Sequence, residues 1–157
     1  MLLRQSYSVA ELLPHGPSMV LLDRLVDYGA DFATCELTIG PSSRFFEAGL
    51  GVPGWIGIEY MAQTLCAYIG IVRKQAGKHI QIELLLGTRS YECARPYFAT
   101  GTKLRIRAEL LMHNPDGVCA FACEMRDGND VVARSEIKAY APDDIEDYLK
   151  GLEKKLA

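Results

Sequence analysis

Two polar residues stand out within an otherwise apolar segment: Glu59 and Gln63 in the sequence IGIEYMAQ. Apolar neighbours at the adjacent helical positions predict that the Glu59 side chain is buried, and an unpaired buried charge is costly. Gln63 follows four residues later, so on a helix the two side chains share one face and the amide can hydrogen-bond the carboxyl group. Burial raises the pKa of a carboxyl group and favours a protonated form that can act as a general acid. The alternative is a buried glutamate that a backbone group or an arginine satisfies, without a catalytic role.

The turn GLGVPGW at the start of the same segment is a second candidate. Glycines let the backbone approach a ligand closely, and the first N–H groups of a helix have no intrahelical partner. We expect the N–H group of Gly54 to be able to hold a carbonyl oxygen, as the donors of an oxyanion hole do. The alternative is a plain Gly-Pro turn.

His15 is the third candidate, because it lies in LLPHGPSM between two prolines that stiffen the loop. An imidazole titrates near neutral pH and is suited to proton transfer, although a single loop histidine is often only a surface residue. His79 and His113 have no sequence neighbours that indicate a site, and we expect both to be solvated.

A helix and a sheet are needed to position these residues. The apolar segment 52–72 is long enough to span a membrane, but Glu59 and Gln63 near its middle, together with its Gly and Pro content, favour a buried helix of a soluble protein. We place this helix at about residues 53–75, because Pro53 is typical of the first turn of a helix and Gly77 is typical of the residue that ends one. Alternating apolar residues and turn motifs predict six strands and a closing amphipathic helix. The predicted strands are 19–29, 31–40, 82–94, 102–113, 118–127 and 131–141, and the closing helix is 143–156.

These elements make an α+β protein, with residues 1–157 as one domain. One sheet layer cannot cover a helix that is apolar on nearly all sides, so we expect a curved antiparallel sheet wrapped around a long central helix. An exposed edge strand would remain, which predicts a symmetric dimer.

Composition excludes several classes of protein. A content of 49% hydrophobic and 24% charged residues is typical of a globular chain, and a formal net charge of -3 makes nucleic acid a poor partner. The five cysteines have no CxxC pair or histidine at zinc-ligand spacing, so we expect reduced thiols and no metal. The amino terminus has no export signal pattern, which favours the cytoplasm.

Four segments together resemble a known family, the hotdog-fold 3-hydroxyacyl-acyl carrier protein dehydratases of the FabZ type. The resemblance covers about residues 9–140, and it looks closest to the ApeP-like branch associated with aryl polyene assembly. The most specific part of the resemblance is the helix signature in VPGWIGIEYMAQ, in which PG is followed by E and then by AQ. The segments are LLPHGPSMVLLDRLVDY, FFEAG, VPGWIGIEYMAQ and GTKLRIRAELL.

The resemblance implies roles for three residues: Glu59 as the catalytic acid, Gln63 as the amide that orients it, and Gly54 as the backbone donor to the thioester carbonyl. It fails at one position, because such enzymes carry a catalytic histidine in a GHFPG segment, whereas this chain has EAGLGVPG. His15 matches the histidine of the family's amino-terminal LLPH segment. We therefore hypothesise that His15 has taken over the role of the base.

The resemblance implies dehydration of a 3-hydroxyacyl thioester to the trans-2-enoyl thioester in fatty acid or polyene biosynthesis, without a cofactor. The substrate would be carried by the phosphopantetheine arm of an acyl carrier protein, in an apolar tunnel lined by Trp55, Tyr60 and Phe46. We expect a homodimer or a heterodimer with another hotdog subunit.

Two alternatives remain open. The missing histidine favours a catalytically weak partner subunit of a dehydratase heterodimer. A thioesterase is the other, because related hotdog enzymes use a helix carboxylate to direct water onto the thioester carbonyl.

Overall fold

The computed structural model describes residues 4–157, and its main feature is a six-stranded antiparallel sheet that packs against one long helix. The strands follow the spatial order β1-β2-β6-β7-β8-β4. A separate pair, β3 with β5, lies beside the start of the long helix. The strands are β1 (Arg24–Tyr28), β2 (Phe32–Thr38), β3 (Val52–Pro53), β4 (Leu84–Cys93), β5 (Tyr97–Phe98), β6 (Lys103–His113), β7 (Val118–Asp127) and β8 (Asp130–Tyr140).

Three α-helices accompany the sheet: α1 (Val9–Leu12), the central α2 (Gly57–Gln75) and α3 (Ile145–Leu156). Short 3-10 turns cover Pro17–Met19 and Gly54–Ile56, so the helical path begins close to the residue predicted from the sequence. Asp144 caps α3 by accepting hydrogen bonds from the N–H groups of Glu146 and Asp147, as the acidic residues at its start predicted.

Helix α2 is the core of the fold. Its side chains from Tyr60 to Ile71 are almost all buried, and it packs across β2, β6 and β7. The path Gly54–Gln75 is long and apolar enough to cross a membrane, but 72% of its most apolar stretch is buried inside the fold. A core helix meets the same criteria of length and composition, and the α+β plan of a central helix against an antiparallel sheet is confirmed.

The short helix α1 crosses α2 at Gly70, where a Cβ atom would come within 2.4 Å of the carbonyl oxygen of Leu12. Such a close backbone approach requires glycine at this position. It also fixes the course of the loop that follows α1, and that loop carries His15.

Strand β4 is an edge of the sheet, since among residues 4–157 only β8 pairs with it. Large apolar side chains are exposed at its start and two residues before it, those of Leu85, Leu86 and Ile82, each about half accessible. An edge strand with exposed apolar residues and unpaired backbone groups is a surface that another chain can cover.

Candidate active site

His15 and Glu59 meet in three dimensions, as the sequence hypothesis requires. The Nε2 atom of His15 lies 3.8 Å from Oε1 of Glu59. Together with Pro14, both residues line a cavity of about 210 Å³ at the side of α2. Its other lining residues are Ala62, Cys66, Ile82, Glu83 and Leu85.

The spacing of residues along α2 explains the helical wall of this cavity. Glu59, Ala62 and Cys66 are three and four residues apart, so their side chains form one stripe along the helix. The opposite wall comes from Ile82, Glu83 and Leu85, at the start of the exposed edge strand β4. The cavity therefore lies beside the edge that a second chain can cover.

Gln63 holds the site together through its side-chain amide. Its Nε2 donates to Oε1 of Glu59 at 3.0 Å and to the carbonyl oxygen of Met19 at 2.8 Å. Its Oε1 accepts the N–H group of Leu21 at 2.9 Å. The Gln63 side chain itself is fully buried, although its partners are only partly buried. One amide thus fixes the Glu59 carboxylate and the chain segment that follows the His15 loop.

The accessibility of Glu59 differs from the expectation. We predicted a buried carboxyl group, but 39% of the Glu59 side chain is exposed, because the cavity opens to solvent at this point. The Glu59 carboxyl group is therefore not a buried group in the single chain.

Burial acts instead on Glu83, for which the sequence predicted no role. Desolvation raises the pKa of Glu83 to about 7, although the Cys66 thiol and the charge of Arg73 act in the opposite direction. The sequence pattern did not indicate a site at Glu83, because IQIELLLG is typical of the start of a strand. The signal that could have found it was a glutamate among the apolar residues IELLL.

The backbone N–H group of Gly54 is already engaged. It donates to the carbonyl oxygen of Pro96 at 2.8 Å, so the assignment of this group as a free donor for a thioester carbonyl is corrected. Glycine is needed here for packing, since a Cβ atom would lie 2.1 Å from the carbonyl oxygen of Arg95. The turn serves to dock the start of the helical path against the segment between β4 and β5.

The three expected tunnel residues do not line this cavity. Trp55 is 66% exposed and packs against Phe45, with ring centroids 6.4 Å apart. Tyr60 follows Glu59 directly and so points about 100° away on the helix, where it is buried against Phe98. Phe46 packs against the core and is not among the residues that line the cavity. Within the single chain, the wall of this cavity is therefore made by other side chains.

The segment that lacks the family's histidine forms a tight turn. The N–H group of Glu47 donates to the carbonyl oxygen of Gly51, and the N–H group of Gly51 donates back to Glu47. Gly49 and Gly51 adopt positive φ values of 78° and 106°, which glycine tolerates and other residues rarely do.

The remaining candidates lie elsewhere. His113 borders a different cavity, near the carboxyl end of α2, and His79 follows that helix. All five cysteines are free thiols. Within residues 4–157, no group of three or more His, Cys, Asp or Glu side chains is arranged to hold a metal ion.

Several solved structures match most of this chain in fold. A structure of the dehydratase heterocomplex ApeI:P from Xenorhabdus doucetiae matches with a TM-score of 0.81 and 29% identity, over 88% of this chain and 93% of that one. The Escherichia coli PaaI protein from the phenylacetic acid degradation operon matches with a TM-score of 0.57 and 14% identity, over 74% of this chain and 80% of its own.

A hypothetical thioesterase from Streptococcus pneumoniae, solved with coenzyme A, matches with a TM-score of 0.59 and 9% identity, over 75% of this chain and 84% of its own. The latter two matches show the hotdog fold alone, which confirms the predicted fold class. No curated protein sequence matches the chain. The family model described as ApeP dehydratase, ApeP-like, matches residues 7–150. That match covers nearly the whole chain, which therefore belongs to the ApeP-like dehydratase family.

Proposed function

We propose that this dehydratase removes water from a 3-hydroxyacyl thioester carried by an acyl carrier protein and forms the trans-2-enoyl thioester, in fatty acid or polyene biosynthesis in the cytoplasm. The observation that carries the proposal is the cavity in which His15 and Glu59 face each other at 3.8 Å. A base and an acid that line one small cavity are what the elimination of water requires.

The reaction balances with side chains alone. His15 takes a proton from C2, the electron pair of that bond forms the C2=C3 double bond, and the C3–O bond breaks. A carboxyl group of the cavity gives its proton to the departing hydroxyl, which leaves as water. The sequence assigned this acid role to Glu59, which Gln63 holds in place. The hydrogen bond that polarises the thioester carbonyl must come from a donor other than the Gly54 N–H group, which is bonded to Pro96.

A partner subunit enters the proposal through the edge strand β4. The matched Xenorhabdus assembly is a heterocomplex, and here the cavity lies beside an exposed apolar edge. We therefore propose that a second hotdog chain covers β4 and completes the acyl tunnel. Either a second copy or a different hotdog subunit can satisfy this geometry.

The test is mass spectrometry of a 3-hydroxyacyl carrier protein incubated with the purified chain, alone and with its hotdog partner. Loss of water with the thioester intact is expected. Replacing His15 by Ala or Glu59 by Gln should lower the rate by about 10²-fold or more, the usual contribution of general acid–base groups. Release of free acid and thiol would instead mean hydrolysis and would overturn the proposal.

A second candidate function is that of a catalytically weak subunit which supports an active partner. The heterocomplex match and the absence of the family's GHFPG histidine favour it. In that case the heterodimer dehydrates, and the chain's His15→Ala variant leaves the rate unchanged.

A further inference from the structure

Glu83 lies at the point where the chain enters the edge strand β4, and it lines the same cavity as His15 and Glu59. The resemblance to known dehydratases gave it no role. Its position places a second carboxyl group within the small volume where the proposed reaction takes place.

The Oε2 atom of Glu83 is fully buried and has no hydrogen-bond partner among residues 4–157. Buried polar atoms in folded proteins are nearly always hydrogen-bonded, so an unpartnered carboxyl oxygen in a cavity wall calls for an explanation. The Nδ1 atom of His15 is likewise buried and has no hydrogen-bond partner among residues 4–157. Because the Glu83 oxygen has almost no accessible surface in the free chain, a ligand hydroxyl group in the cavity would become its partner through a rotation of the Glu83 side chain.

The surroundings of Glu83 favour its neutral form. Burial is the dominant effect and raises its pKa to about 7, so a large fraction of the carboxyl groups carries a proton at neutral pH. The titratable and charged groups near Glu83 come from three other parts of the fold. The loop after α1 carries His15, strand β7 carries Cys119, and helix α2 carries Glu59, Cys66 and Arg73.

Glu59 is arranged differently. Its Oε1 accepts a hydrogen bond from Gln63 and faces His15, and the side chain is 39% exposed. An oxygen that accepts from an amide and faces an imidazole is placed to orient that imidazole. Two carboxyl groups in one site commonly take separate roles when their surroundings differ in this way.

We propose that Glu83 is a further catalytic residue of this cavity, the one that delivers a proton to the departing C3 hydroxyl, while Glu59 acts as a positioning residue for His15. The inference rests on the proposed dehydration and replaces Glu59 as the acid. His15 removes the C2 proton, the double bond forms, the C3–O bond breaks, and the Glu83 proton leaves with the oxygen as water. The proton on His15 then returns to Glu83 through solvent in the cavity, which restores both groups.

The experiment measures enoyl formation from a 3-hydroxyacyl carrier protein as a function of pH, using the assembly that is active in the test above. Glu83→Gln should lower kcat by about 10²-fold or more with little change in KM, and Glu83→Asp should recover part of the rate. The wild-type kcat should fall as the pH rises through about 7, the pKa of Glu83. This alkaline decline should be absent from the residual rate of Glu83→Gln.

Two further variants separate the roles. Glu59→Gln should also be slow but should keep the alkaline decline, because Glu83 is intact. Glu92→Gln is the matched control, since Glu92 lies on β4, the strand that Glu83 precedes, but borders the outer face of the sheet, away from His15. It makes the same side-chain substitution and should leave the rate at the wild-type value.

A Glu83→Gln variant that works within threefold of the wild-type rate, with the same pH profile, would overturn the inference and leave the proposed function standing. A folded Glu83→Gln that is slow only through a raised KM would overturn it as well. If the wild-type assembly removes no water, the proposed function fails first and this inference fails with it. Thermal unfolding of each variant shows that the comparison is between folded proteins.

Discussion

The imidazole of His15 and the carboxylate of Glu59 lie 3.8 Å apart, one in a loop before the sheet and the other in the first turn of the central helix. Groups that act as one unit give strongly non-additive kinetic effects. The double variant His15→Ala with Glu59→Gln should therefore dehydrate within about threefold of the slower single variant. Steady-state rates of the four proteins measure this.

His113→Ala is the control for that cycle, because His113 borders a cavity near the other end of α2. It should keep the wild-type rate. Rate losses of His15→Ala and Glu59→Gln that simply multiply in the double variant would mean that the two residues act independently.

Gln63 should matter for stability as well as for activity. Gln63→Leu leaves the Leu21 N–H group and the Met19 carbonyl oxygen without their buried partners. Because both groups are only partly buried and can reach water, we expect the free energy of unfolding to fall by about 1–3 kcal/mol. Urea unfolding measures the loss. Gln75→Leu, at the exposed end of the same helix, should change it by less than about 0.5 kcal/mol.

The raised pKa of Glu83 predicts that stability depends on pH. Between about pH 4.5 and 7 the folded chain retains a proton on Glu83 that the unfolded chain has lost, so stability decreases as the pH rises. Relative to Glu83→Gln, the wild-type protein should lose on the order of 2 kcal/mol between pH 4 and pH 8, allowing for partial exposure. Urea unfolding of both proteins at the two pH values tests this. An equal pH dependence in the two proteins would contradict the burial of Glu83.

Two helical glycines should respond in opposite directions to the same substitution. Gly70→Ala places a Cβ atom 2.4 Å from the carbonyl oxygen of Leu12, so α1 must move away from α2 and stability should fall by about 1–3 kcal/mol. Gly151 in α3 has open space around it, and Gly151→Ala should raise stability by up to about 1 kcal/mol through helix propensity. Thermal unfolding distinguishes the two signs. Gly70→Ala should also slow the reaction, since α1 carries the His15 loop.

The exposed start of β4 should determine association. Leu86→Glu puts a charge on the strand edge that we propose a second hotdog chain covers, and it should shift the assembly to monomers. Leu111→Glu is a matched control, because Leu111 is exposed to a similar degree, 52% against 55%, on the interior strand β6. Light scattering gives the mass in each case. An unchanged mass for Leu86→Glu would place the interface elsewhere.

Much of the architecture was predictable from local patterns. The apolar run with Pro53 before it predicted the central helix to within a few residues. Alternation with turn motifs predicted the six strands of the main sheet, although the first, predicted at 19–29, covers only Arg24–Tyr28. The short β3–β5 pair was not foreseen, because two-residue strands have no periodicity to detect. The i, i+4 spacing of Glu59 and Gln63 was enough to predict their hydrogen bond, since both lie on one helix.

The sequence by itself therefore determined the helix, the strands, the family and the shared face of Glu59 and Gln63, because these depend on neighbours a few positions apart. Only the tertiary structure decided which distant segments meet. It brought His15 to Glu59, placed Glu83 in the same cavity, left Glu59 partly exposed and used the Gly54 N–H group to dock the helix start. Burial and long-range pairing depend on how the whole chain packs, and no local pattern carries that information.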